Sequence, residues 1–140
     1  RYPQLETKSR EEPAMIRITF CLTKRDELGL EEFQDYWLNK HAPLVKSVAG
    51  DLRIKRYVQL HTREWAENDG ARASRAGSLE AAPAIYDGVA ELWWESLEDL
   101  RAATATEEGR QAGRLLLEDE AKFIDFSRSP LWYGEEHQII

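Results

Sequence analysis

From Met15 to Thr23 apolar and polar residues alternate: Ile16, Ile18, Phe20 and Leu22 fall on one face, and Arg17, Thr19 and Cys21 on the other. Period two with β-branched residues predicts a strand. The period then changes. Leu30, Phe33, Trp37, His41, Leu44 and Val48 recur every three or four residues and form one stripe of a helix over residues 29–48. Pro43 predicts a kink or restart with the proline in the first turn of the second piece, and Gly50 a stop. Alternation returns from Leu52 to His61, where Leu52, Ile54, Val58 and Leu60 share a face with Arg56, and Tyr57, Gln59 and His61 lie opposite. Residues 62–85, rich in Ala, Arg, Ser, Gly and Asn, read as a long surface connection with some helix around Trp65. Tyr86–Glu95 predicts a third strand, with Ala90, Leu92 and Trp94 on one face and Asp87, Val89, Glu91 and Trp93 on the other. Ser96 with Asp99 resembles a capping box that opens a helix, which weakens between Thr104 and Gly109 and resumes toward Ala121. Lys122–Ser127 reads as a fourth strand, Pro130–Gly134 as a turn, and Glu135–Ile140 as a short terminal strand.

Strand, helix, strand, strand, helix, strand is the ferredoxin-like βαββαβ order, an α+β sandwich with helices on one side of the sheet. Residues 15–140 form this domain, and the polar residues 1–14 read as an extension. Trp93, Val89 and Tyr57, predicted on the uncovered face, are too apolar to remain wet, which predicts a homodimer packed sheet against sheet.

Charge narrows the partners. The 140 residues carry 26 Asp and Glu against 19 Lys and Arg, a net charge of −7. Such a surface repels phosphate backbones and anionic lipid, which argues against nucleic-acid and membrane partners. No apolar run approaches the roughly 20 residues that a membrane span requires. With the single cysteine Cys21 no intrachain disulfide forms, and the reading is a cytoplasmic protein. Cys21 itself has no activating neighbour in sequence and reads as a small buried hydrophobe.

No phosphate-binding glycine loop, nucleophile elbow or HExxH is present. His41, His61 and His137 show no metal-ligand spacing, so neither a metal nor a cofactor is expected. His41, four residues after Trp37 on the apolar stripe, is the candidate for acid–base work, against the plain alternative of a core histidine bonded to a carbonyl. Arg56 is the odd charge on an apolar strand face: either it holds an anionic group or it snorkels to solvent. Tyr57 suits an oxyanion and Asp87 the orientation of a histidine, unless both belong to an interface network. The five tryptophans suggest an aromatic-lined cavity or equally a packed core.

The segment MIRITFCLTKRDELGLEEFQDYWLNKHAPLV, followed by IKRYVQLH, resembles the start of EthD-domain proteins. Their helix pattern F-x-x-Y/W-W-x-x-x-H-x-P-L is matched by Phe33, Tyr36, Trp37, His41, Pro43 and Leu44. YDGVAELWW and the ending RSPLWYGEEHQII are further matches. The resemblance implies a dimeric α/β barrel, in a superfamily of cofactor-free monooxygenases, cyclases, isomerases, dehydratases and decarboxylases, with accessory proteins of ether degradation among its members. It marks His41 with Trp37, and more weakly Tyr57, Asp87 and His137. The expectation is a cofactor-independent lyase, isomerase or cyclase acting on a small hydrophobic or aromatic carbonyl compound. His41, Tyr57 and Asp87 would be catalytic, and Phe33, Trp37, Arg56, Trp93 and His137 would bind substrate. The alternatives are a cofactor-free monooxygenase, a non-catalytic dimer that binds a hydrophobic metabolite, or a haem barrel with His41 as axial ligand.

Overall fold

A computed structural model describes residues 15–140; the proposed extension, residues 1–14, lies outside them. Strand β1 (Ile16–Leu22) leads to helix α1 (Leu30–Tyr36), whose Gly29 N-cap N–H donates to Glu32 Oε1 at 3.1 Å. A π-helical turn (Trp37–His41) joins it to α2 (Ala42–Val48). Then come β2 (Arg56–His61), α3 (Ala66–Ala76), β3 (Gly88–Trp94), α4 (Leu97–Ala105), α5 (Glu107–Glu120), a 3₁₀ turn (Phe126–Arg128) and β4 (Leu131–Glu135). Ser96 caps α4 by accepting from the Asp99 N–H at 3.0 Å, and Thr106 caps α5 by accepting from the Gly109 N–H at 2.9 Å.

The sheet is antiparallel in the order β2-β3-β1-β4, the ferredoxin-like arrangement. Register sorts the side chains. Ile18 lies opposite Leu92, Phe20 opposite Ala90, and Tyr57 opposite Leu92. These residues face the helices and pack with Phe33, Trp37, Phe123 and Ile124 at one end and with Trp94 and Leu100 at the other. Arg17, Thr19, Arg56, Val58, Glu91 and Trp93 occupy the other face. The expectation of Tyr57 on that uncovered face is corrected: it points to the helices.

The remaining expectations hold at Pro43 and change elsewhere. The helix restarts at Ala42, with Pro43 in the first turn of α2 as expected. The irregularity is the π turn just before it, where the Ala42 N–H reaches back five residues to the Trp37 carbonyl. Strand β2 starts at Arg56 rather than Leu52, because the chain turns through Arg53 at φ 58° and the Leu52 carbonyl accepts the Trp94 indole N–H at 2.7 Å. Residues 122–127 are not the fourth strand. Phe123 and Ile124 are consecutive and both buried, which period-two alternation against one covered face does not allow. Asp125 then bonds the Ser127 N–H and starts the 3₁₀ turn. The strand is instead Leu131–Glu135, expected to be a turn, and none succeeds it among residues 136–140. The 62–85 connection carries the full helix α3, closed by Gly77 at φ 92°.

Trp37 is 1% exposed, and its six-membered ring lies where a Cβ on Gly88 would stand. The Leu60 carbonyl oxygen would be 2.8 Å from the same atom. Gly88→Ala should therefore destabilise the fold by roughly 1–3 kcal/mol, as overpacked cores do. Thermal melting by circular dichroism checks this; an unchanged midpoint would mean that the indole yields freely.

Candidate functional site

The helix stripe turns Trp37 and His41 inward, and the two side chains meet different neighbours. Trp37 stacks on His61 with ring centroids 4.6 Å apart and planes 22° from parallel. His41, 4% exposed, meets the end of α5 and packs edge-on to Phe123 at 5.1 Å. Its Nδ1 lies 2.7 Å from Asp119 Oδ2, and its Nε2 lies 3.9 Å from Glu120 Oε2.

Asp119 is held on several sides. The Tyr36 hydroxyl donates to Oδ1 at 2.6 Å, and Lys122 Nζ stands 3.5 Å away. Burial pushes its carboxyl up, but the hydrogen bonds from Tyr36, His41 and Lys122 outweigh that and hold it below its ordinary range. An ionised Asp119 accepts, so His41 Nδ1 carries the proton and Nε2 keeps its lone pair. Burial lowers the imidazole's own pKa against the pull of Asp119, which favours the neutral ring. Glu120 responds in the opposite direction. Burial, with the Asp119 charge next to it, raises its carboxyl from 4.5 to about 7. A basic ring nitrogen thus faces a carboxyl that is near half-protonated at neutral pH.

Tyr57 is the next polar group. Burial pushes its phenol up to about 12, against the hydrogen bond from Gln59 and the Trp37 side chain, and the Glu120 charge adds to the rise. Tyr57 therefore stays protonated. It lines two adjoining clefts along the edge of β2. One, of about 410 Å³, also touches Leu38, Ala42, Gln59 and His61. The other, of about 550 Å³, runs past Val45, Ala49 and Ile54 to Arg56.

The residues singled out from sequence are not all brought together. Phe33, Trp37, His41 and Tyr57 lie on the helix side of the sheet. Arg56 and Trp93 pair in register on the opposite face, with the guanidinium 4.6 Å from the Trp93 ring. Trp93 donates its indole N–H to Glu136 at 2.8 Å. Neither side chain therefore shares a face with His41. The carboxylate that orients His41 is Asp119 and not Asp87, whose Oδ2 accepts the Lys24 backbone N–H at 2.8 Å. His137 is exposed in the tail, with Nε2 3.0 Å from Glu135. Cys21 is buried, and burial raises its thiol pKa. Asp119 and Glu120 belong to no motif read from the sequence, though one signal was available. Glu118, Asp119 and Glu120 end a helix with no basic residue in its last turn, where the macrodipole disfavours carboxylates. Acids that persist there have other partners.

Among the described residues no set of three His, Cys, Asp or Glu side chains is arranged to hold a metal ion. No described helix is long and apolar enough to cross a membrane.

No curated protein sequence matches the chain significantly. Solved structures do. An ethyl tert-butyl ether d (EthD) family protein of Bacillus halodurans C-125 superimposes with a TM-score of 0.57 at 18% identity, over 88% of this chain and 99% of its own. A dimeric protein of unknown function and ferredoxin-like fold from Bacteroides fragilis NCTC 9343 gives 0.53 at 11% identity, over 87% and 96%. SnoaB of Streptomyces nogalater, a cofactor-independent oxygenase, gives 0.52 at 13%, over 91% and 97%. At such identities these show the ferredoxin-like fold. The model of the EthD domain matches residues 25–127, which take in the helix with His41 as well as Asp119 and Glu120, and the chain belongs to the EthD-domain family.

Proposed function

We propose that the protein is a cofactor-independent lyase, isomerase or cyclase that moves a proton next to the carbonyl of a small hydrophobic or aromatic compound. The observation that carries this reading is the His41 ring held between Asp119 at 2.7 Å and Glu120 at 3.9 Å, next in the chain to Ala42, which lines both clefts beside Tyr57. Asp119 fixes the tautomer, His41 Nε2 takes the proton, and Glu120 accepts or returns it. Tyr57, kept protonated, donates to the oxygen on which enolate charge develops. Phe33 and Trp37, expected to bind substrate, are buried in the core with Phe123, on which the His41 ring sits edge-on, and line neither cleft. Asp87, Arg56, Trp93 and His137 take no part in this chemistry. The homodimer joined through the face that bears Trp93, Val58 and Leu60, and a cytoplasmic setting, belong to the same proposal. The Bacteroides relative described as dimeric supports the first.

Abstraction next to a carbonyl is read without knowing the product, as exchange of that carbon's hydrogen for deuterium in D₂O by NMR. Across a panel of aryl ketones and β-dicarbonyl compounds, His41→Ala should slow exchange by about 10²–10⁴-fold. Exchange that persists at the wild-type rate would remove His41 from the mechanism.

The rate should rise with pH on the acid side of an ordinary imidazole, as His41 loses its proton. It should fall again as Glu120 ionises near 7 and can no longer return one. In Glu120→Gln the alkaline limb should vanish; a limb that survives the substitution assigns it elsewhere.

Stability carries the same signature. A carboxyl raised from 4.5 to about 7 on folding costs nothing below 4.5 and increasingly destabilises the fold as pH rises through 7. Glu120→Gln should therefore gain about 2–3 kcal/mol in urea unfolding at pH 8 and nothing at pH 4. Equal gains at both would point to packing instead.

A further inference from the structure

Resting on the reading of Tyr57 as the oxyanion donor, we infer that Gln59, held by the π turn and by His61, is a positioning residue that forces the Tyr57 hydroxyl to donate outward into the cleft. Tyr57, Gln59 and His61 stand at alternate positions of β2 and so share its helix-facing side. A free glutamine amide beside a phenol leaves the direction of the hydrogen bond open, because flipping the amide turns donor into acceptor. Here two further contacts remove that choice. Gln59 Nε2 also lies 3.0 Å from the Trp37 backbone carbonyl, which can only accept. Gln59 Oε1 lies 2.7 Å from His61 Nε2, and an amide oxygen cannot donate, so the imidazole carries its proton there. The NH₂ end must therefore face Trp37 and Tyr57, and at 2.6 Å it donates to the phenol oxygen. The Tyr57 hydrogen is left with no acceptor among the described residues, in a side chain that lines both clefts. The π turn contributes directly, since the carbonyl that anchors the amide is the first of that turn. His61 is in turn fixed by its stack on Trp37. The ligand group that this geometry selects is a carbonyl or anionic oxygen without a hydrogen of its own to give.

The clamp is read first without any ligand. 3-Fluorotyrosine is incorporated, since it ionises well below tyrosine, and its titration is followed by ¹⁹F NMR with Tyr57→Phe identifying the resonance. Gln59→Leu removes a donor to the phenolate and should raise the ionisation of residue 57 by about one pH unit. Gln59→Glu supplies an acceptor in its place and should raise it further. Midpoints equal to wild type in both variants, each with a wild-type circular dichroism spectrum, would overturn the inference. The second reading uses 4-nitrophenolate as probe, followed by its absorbance. Wild type should bind it, and both Tyr57→Phe and Gln59→Glu should weaken binding about tenfold or more. In Gln59→Glu the cause would be that the hydroxyl now donates into the protein. Weakening by Tyr57→Phe but not by Gln59→Glu overturns the clamp. No binding by wild type, or equal binding by Tyr57→Phe, counts instead against Tyr57 as oxyanion donor, and the fluorine titration then still decides the clamp.

Discussion

The site depends on one irregularity in one helix. Between α1 and α2 the hydrogen bond that an α-helix would close over four residues is closed over five, from Ala42 to Trp37. One additional residue in a turn rotates the rest of the helix by about 100° relative to an unbroken one. Phe33 and Trp37, before and at the start of the turn, pack on the sheet and on Gly88. His41, at its end, meets Asp119 and Phe123 on the neighbouring segment. Without the turn, the stripe that seats the indole would not aim the imidazole at the same carboxylate. The turn also presents the Trp37 carbonyl to Gln59, so the same departure from α geometry orders both the imidazole and the phenol.

Burial then sorts the protons. Asp119, Glu120 and His41 are adjacent, yet they respond differently to the same dry surroundings. Asp119 has three donors and stays ionised. Glu120 has none of these and sits beside that charge, so it holds its proton to about pH 7. His41 is favoured neutral. Divergent responses of neighbouring titratable groups are what an acid–base site needs, and they also make it costly. A carboxyl paired with arginine in the same place would stabilise the fold more and transfer nothing.

Much of the fold was legible from periodicity, because β1, the long helix and β3 each bury a clean face against one layer. The misread segments are those where that premise fails. Phe123 and Ile124 are apolar neighbours, as in a strand, but they plug the end of the core between elements. Leu131–Glu135 is exposed throughout, so no alternation marks it, and only pairing with β1 makes it a strand. For the site, the motif around His41 was readable because its residues lie on one helix. Its carboxylate partners were not, since Asp119 is 78 positions away and is brought to the ring by the packing of α5. Arg56 and Tyr57 illustrate the finer difficulty. Adjacent residues on a strand point to opposite faces, and their own alternation does not say which face the helices cover.

That ambiguity bears on where function can reside in this family's fold. The two sheet faces are chemically distinct here. The open face ties Trp93 between Arg17, Arg56 and Glu136, a network of ion pairs and cation–π contacts suited to registering a second surface. The covered face holds a neutral imidazole, a protonated phenol and a carboxyl raised to about 7. A site on the open face would expose its titrating groups to solvent or to a partner's charges and lose the pKa separation that burial creates. The covered face keeps it whether or not the open one is occupied. On the proposed function, chemistry and association vary independently along the same sheet, one through the odd positions of β2 and the other through the even.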